Sequence, residues 1–206
     1  GGYSEGHGCT GGGGLLLAAN DMFNLDGDSG NNIATSTPVI ENVIIKDNHS
    51  HNGGGLATFR VNGPVLNNVQ ISGNVATAFG GGVFSYVSVY TMNGVTISDN
   101  HNLGNGQGGG IMLAATSGTF DNMTITNNTA VGSHGGGIWT NDSGGAGNWS
   151  DGWTMTNSTI RGNTGHWFGG GILFAWSHPT LINCTISDNT SGWGGGGIMG
   201  LESGFT

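Results

Sequence analysis

Apolar and polar residues alternate along this chain in short bursts, and each burst repeats the one before it. Aligning the copies on Ile45, Ile71, Ile97, Ile125, Ile160 and Ile186 gives steps of 26, 26, 28, 35 and 26 residues. Five positions before that isoleucine stand Ile40, Leu66, Met92, Phe120, Met155 and Leu181, and two before it stand Val43, Val69, Val95, Met123, Ser158 and Cys184. Its immediate neighbours are mostly polar: Ile44, Gln70, Thr96, Thr124, Thr159 and Thr185 before it, Lys46, Ser72, Ser98, Thr126, Arg161 and Ser187 after it. Period-two alternation of this kind predicts a strand with one buried face. Repetition at this length predicts a solenoid in which each copy forms one coil.

Two further columns predict the corners. Three residues after the isoleucine an asparagine recurs, at Asn48, Asn74, Asn100, Asn128, Asn163 and Asn189, and a stacked amide can donate and accept at once. Eight to eleven residues after the isoleucine comes a glycine triplet and an aliphatic residue, from Gly53-Gly54-Gly55-Leu56 to Gly195-Gly196-Gly197-Ile198, with a lone earlier copy at Gly12-Gly13-Gly14-Leu15. Such triplets would interrupt any helix in every coil, so the expected fold is all-β, with parallel strands stacked about 4.8 Å apart. The Asn-x-Thr-Ile-x-x-Asn and Gly-Gly-Gly-Ile phrases resemble the right-handed parallel β-helix repeats of the pectin-lyase-like superfamily. More narrowly, they are similar to the Gly-Gly-x-Ile repeats of polymorphic outer-membrane and autotransporter-adhesin passengers. The resemblance implies a right-handed β-helix of six to seven coils, 26–28 residues each with one of 35. It leaves function open, because that superfamily holds lyases, hydrolases, adhesins and tailspikes.

A single solenoid accounts for residues 1–206, with loop insertions near 20–34 and 141–153 and no evident cap at either end. Three Lys and Arg stand against 12 Asp and Glu, a formal net charge of −9, which disfavours nucleic acid and anionic membranes as partners. No apolar run reaches the roughly 20 residues of a membrane helix. Cys9 and Cys184 lie about six coils apart, too far for a bridge within one chain, and Cys184 falls in an inward column, expected as a buried thiol with a bond between chains as the alternative. The acidic, Lys-poor, Asn/Thr/Gly-rich composition points to an extracellular or cell-surface location.

The strand after each glycine triplet carries an unexpected pattern. Its outward column reads Leu16, Ala57, Phe84, Met112, Trp139, Leu173 and Met199, apolar throughout, and is expected to form an exposed stripe along the solenoid. A contiguous apolar stripe marks an interface. Uncapped ends and a lateral stripe together predict a subunit that stacks head to tail with copies of itself and packs side by side, since contacts that do not close give open polymers.

Catalysis is the weaker expectation. A β-eliminating lyase needs converging cations, yet Lys46 and Arg161 share one outward column four coils apart, on the order of 19 Å. Asp47, Asp99 and Asp188 share the column before the asparagines, where Asp serves as a turn former, and Asp47 to Asp99 spans roughly 10 Å, the outer limit for an inverting glycosidase pair. The alternative function is polysaccharide binding or degradation, with Asp142, Trp149, Asp151 and Trp153 as the candidate carbohydrate residues among six tryptophans that all lie C-terminal to Ile138. Asn24, Asp26 and Asp28 alternate as a candidate calcium site, although the segment lacks an EF-hand's other ligands, and no further cofactor is expected. Asn48, Asn122, Asn127, Asn141, Asn148, Asn157, Asn183 and Asn189 are glycosylation sequons. The histidines show no zinc spacing, and His49, His101 and His134 are expected in variable turns.

Overall fold

The computed structural model describes residues 12–18, 37–141 and 152–201. The predicted β-solenoid is present. Four parallel sheets run the length of the molecule, and each coil visits them in the same order. Sheet I has seven strands, each following a glycine triplet: Leu15–Ala18, Leu56–Phe59, Val83–Tyr86, Ile111–Ala114, Ile138–Asn141, Ile172–Ala175 and Ile198–Leu201. Sheets II, III and IV have six strands each. Sheet II begins with Val39–Glu41 and Asn62–Asn67, and sheet III carries the isoleucine column from Ile44–Lys46 to Thr185–Ser187. Sheet IV comprises His49–Asn52, Val75–Phe79, His101–Asn102, Thr129–Ala130, Thr164–Gly165 and Thr190–Ser191.

Like residues stack on like. Ile45 pairs with Ile71, Ile71 with Ile97, and the file continues through Ile125 and Ile160 to Ile186. Ile71, Ile97, Ile125 and Ile160 are wholly buried in one continuous core with Leu56, Leu66, Val69, Met92, Val95 and Met123. Each such side chain contributes about 1.5–3 kcal/mol by leaving water.

The triplet Gly80-Gly81-Gly82 explains why three glycines recur. Gly80 has φ of 60°, the left-handed turn into sheet I. A Cβ on Gly81 would strike the backbone of Gly109 and His101 in the next coil. One on Gly82 would come within 2.9 Å of the Asn100 amide nitrogen, so the third glycine clears the asparagine column.

The outward column of sheet I is not the exposed stripe that its position predicts. Ala57, Phe84, Met112, Trp139 and Leu173 are 0–8% exposed and form a second apolar cluster with Phe59 and Ala175. Met199 packs against it half-buried, and only Leu16, at 39%, is exposed. Part of the cover comes from the residue before two of the triplets, Phe79 and Phe168. The left-handed glycine folds that residue back against sheet I, so Phe79 lies over Phe84, with ring centroids 6.1 Å apart, and Phe168 joins the same cluster. The chain therefore has two cores, one inside the coil and one on its flank.

Candidate functional site

The carbohydrate candidates divide. Asp142, Trp149 and Asp151 lie outside the described residues, as do Asn24, Asp26, Asp28, Asn148 and Cys9. Trp153 is described, and it is no sugar platform. It opens a strand of sheet II, is 1% exposed, and packs edge-on to Phe120 at 5.7 Å and Phe174 at 6.1 Å. Its indole N–H donates to Thr140 Oγ1 at 3.2 Å. The register supplies the space: Trp153 stacks on Gly118, which stacks on Tyr90, so a glycine separates two large inward rings. The insertion is accordingly shorter than residues 141–153, because Asn141 and Trp153 both belong to strands.

Beside these rings lies a buried hydroxyl network that the sequence columns do not announce. Thr58 Oγ1 lies 2.8 Å from the Tyr90 hydroxyl and 3.2 Å from Ser85 Oγ, and Ser85 lies 2.9 Å from Thr116 Oγ1, which donates to the Ala114 carbonyl. Burial pushes the Tyr90 phenol far above its usual range, partly offset by its bonds to Thr58 and Ser85, so the ring stays neutral. The signal was available as the inward polar residues Thr58, Ser85 and Thr140 of sheet I, matched to Tyr90 and Trp153 of sheet II.

Asparagines hold the opposite corner. Asn74 donates through both its backbone N–H and its Nδ2 to Asn100 Oδ1, at 2.9 and 3.0 Å, and Asn100 does the same to Asn128 at 3.0 and 2.9 Å. From Asn74 to Asn189 each Nδ2 also reaches the isoleucine carbonyl of the previous coil, as from Asn100 to Ile71 at 3.0 Å. The column runs unbroken from Asn48 through Asn163 to Asn189. This ladder conflicts with two sequons, because the Nδ2 of Asn48 and of Asn189 is already committed, to Asn74 Oδ1 and to the Ile160 carbonyl. Asn122, Asn127, Asn157 and Asn183 sit instead at exposed corners with φ of 51–56°, and Asn141 is half-buried at the end of its strand.

The carboxylates have structural partners. Asp47, Asp99 and Asp188 occupy the corner between sheets III and IV with φ of 55–57°, the turn role expected of them. Lys46 lies 3.8 Å from Asp47, Arg161 donates to Asp188 at 2.7 Å, and Asn127 donates to Asp99 at 3.3 Å. Both ion pairs are solvent-exposed and contribute little to stability. The Thr156 hydroxyl, and after it the Asn157 amide, hold the Asp121 carboxyl below its usual range. Cys184 is half-buried at the edge of the inner core, with its S–H 3.5 Å from the Met155 carbonyl.

Aromatic surface remains near the C-terminal coils. Trp193 is 70% exposed, edge-on to Trp167 at 4.5 Å and to Phe168 at 5.9 Å, and Trp176 is 46% exposed at the corner between sheets I and II. His134 stacks flat on Phe168 at 5.5 Å with its Nδ1 buried, and the loss of water lowers its pKa. Among the described residues no helix is long and apolar enough to cross a membrane, and no three His, Cys, Asp or Glu converge as a metal cluster.

No curated protein and no solved structure matches the chain significantly. A family model described as a right handed beta helix region matches residues 85–204. The match spans more than half the chain and the same stacked coils that the ladder pairings define, and the protein belongs to the right-handed β-helix family.

Proposed function

We propose that this chain is a non-catalytic, extracellular β-solenoid of structural or adhesive type that associates head to tail with copies of itself. One observation carries the reading: the asparagine ladder is polar. Every rung from Asn48 to Asn163 donates twice toward the following coil, and every rung from Asn74 to Asn189 accepts twice from the preceding one. A column of this kind can be extended in one orientation only, so self-association through it is head to tail rather than face to face. The turn roles of Asp47, Asp99 and Asp188 support a scaffold over a hydrolase. Lateral packing through the sheet I column has lost its surface, since that column is buried. The narrower likeness to autotransporter-adhesin passengers fits this reading and the composition.

Negative-stain electron microscopy with sedimentation velocity tests it. The expected outcome is rods that lengthen with concentration beyond the roughly 30 Å that six 4.8 Å rungs give one copy. Monodisperse monomers at high concentration overturn it.

A further inference from the structure

The outer face of sheet IV carries chemistry that the scaffold reading does not use. The strand His49–Asn52 reads His-Ser-His-Asn, with His49 and His51 exposed, Ser50 half-buried and Asn52 buried. Strand alternation puts both imidazoles on the same outer face, with Cα atoms about 6.6 Å apart at two strand rises. That is close enough for both rings to lean onto one ion. The sequence reading places His49 in a variable turn; the pairing of His49 with Val75 and Ser50 with Ala76 makes it a strand residue.

A second observation orients one of the rings. Pairing with Val75–Phe79 slips between Ser50 and Asn52, which oppose Ala76 and Phe79, so an extra residue enters the neighbouring strand beside His51. Bulges of this kind re-aim side chains. Here Thr77 Oγ1 comes to lie 3.1 Å from His51 Nδ1. With Nδ1–H donating to that hydroxyl, the Nε2 lone pair of His51 points outward as a ligand, the arrangement by which an outer partner fixes a metal-binding histidine.

We propose that His49 and His51 form a bidentate surface site for a borderline divalent transition ion, with Cu2+ held most tightly and Ni2+ and Zn2+ less so. Neutral imidazole suits these ions, and the order follows their general affinity series. Water completes the coordination. The chain's net charge of −9 favours any cation over none, but Mg2+ and Ca2+ require oxygen donors and are not held by two nitrogens. Thr77 is a positioning residue. Among the described residues, the other charged or titratable groups on this flank are Lys46 and Asp47 at the preceding corner and His101, which shares the column of His49 two coils on with Val75 between. His101 is therefore too distant to join the pair.

Calorimetric titration of the full chain with CuCl2, NiCl2 and ZnCl2 at pH 7.5 tests the site. One ion per chain is expected, in the affinity order Cu2+ above Ni2+ and Zn2+. His49→Gln and His51→Gln each weaken binding by more than about tenfold, Thr77→Val weakens it by about tenfold, and His101→Gln leaves it unchanged. All of these are exposed positions, and circular dichroism of each variant separates lost ligation from lost fold. Absence of binding in the wild type, or an equal loss in His101→Gln, overturns the proposal.

Discussion

Two corners of the coil are built on opposite principles. Between sheets III and IV the chain turns through Asp47, Gly73, Asp99, Asn127, Gly162 and Asp188, residue types suited to left-handed backbone, and the asparagines that follow the middle four are buried and bonded on both sides. Between sheets I and II it turns through Arg60, Val87, Ala115 and Trp176, which also have φ of 45–52° although their side chains crowd that conformation. At the first corner the local sequence wants the turn. At the second the stacking imposes it: the Arg60 N–H bonds the Tyr86 carbonyl and the Val87 N–H bonds the Ala114 carbonyl, both at 2.9 Å, and the inward hydroxyls of Thr58, Ser85 and Thr116 tie the neighbouring strands together. A regular ladder thus carries an irregular corner, and strain of the order of 1–3 kcal/mol per residue is held where the repeat is least regular.

The largest test breaks the regular corner. Asn100→Ala removes two accepted and two donated bonds at a fully buried rung and strands the donors of Asn74, so unfolding in denaturant should show a loss of about 3–5 kcal/mol. Asn122→Ala, at an exposed corner, should cost only about 1 kcal/mol in the same assay. Equal losses would mean that the ladder contributes nothing beyond its turns.

A smaller pair of substitutions exchanges the principles of the two corners. Val87→Asn places a residue tolerant of φ near 50° where a β-branched one stands and should raise stability by about 0.5–1 kcal/mol. Asp99→Val does the reverse at the corner between sheets III and IV and should lower it by about 1–2 kcal/mol. Same-sign effects would show that left-handed geometry is not the distinction between the corners.

The smallest effect concerns the flank. Loss of water lowers the His134 pKa, so the folded state binds its proton less readily than the unfolded chain. Its contribution is complete above the ordinary histidine value of about 6.5 and is lost as pH falls through the lower folded value. Thermal unfolding from pH 8 to 5 should therefore fall more steeply for the wild type than for His134→Gln.

Inner files were legible because their cause is local. The isoleucine column, the asparagine ladder, the glycine corners and the turn role of Asp47, Asp99 and Asp188 each follow from a residue type recurring at one period, and period alone sets which residues stack. Alternation also assigned Leu56 inward and Ala57 outward correctly. It could not say that outward means wet. Whether Phe84 and Trp139 meet solvent depends on Phe79 and Phe168 folding back over sheet I, a contact between segments that no single column contains.

Trp153 and the histidine pair failed to be legible for related reasons. An indole in a loop-like, glycine-rich stretch reads as surface until the register sets it against Gly118 and gives it an inward cavity. His49 reads as a turn residue until pairing with Val75–Phe79 makes a strand of its segment and brings Thr77 to the ring of His51. The sequence by itself determined the solenoid, its period and its inner columns, because repetition turns local preference into stacked files. Only the tertiary structure decided what covers the outer face and which side chains converge there, because those contacts join positions that differ from coil to coil.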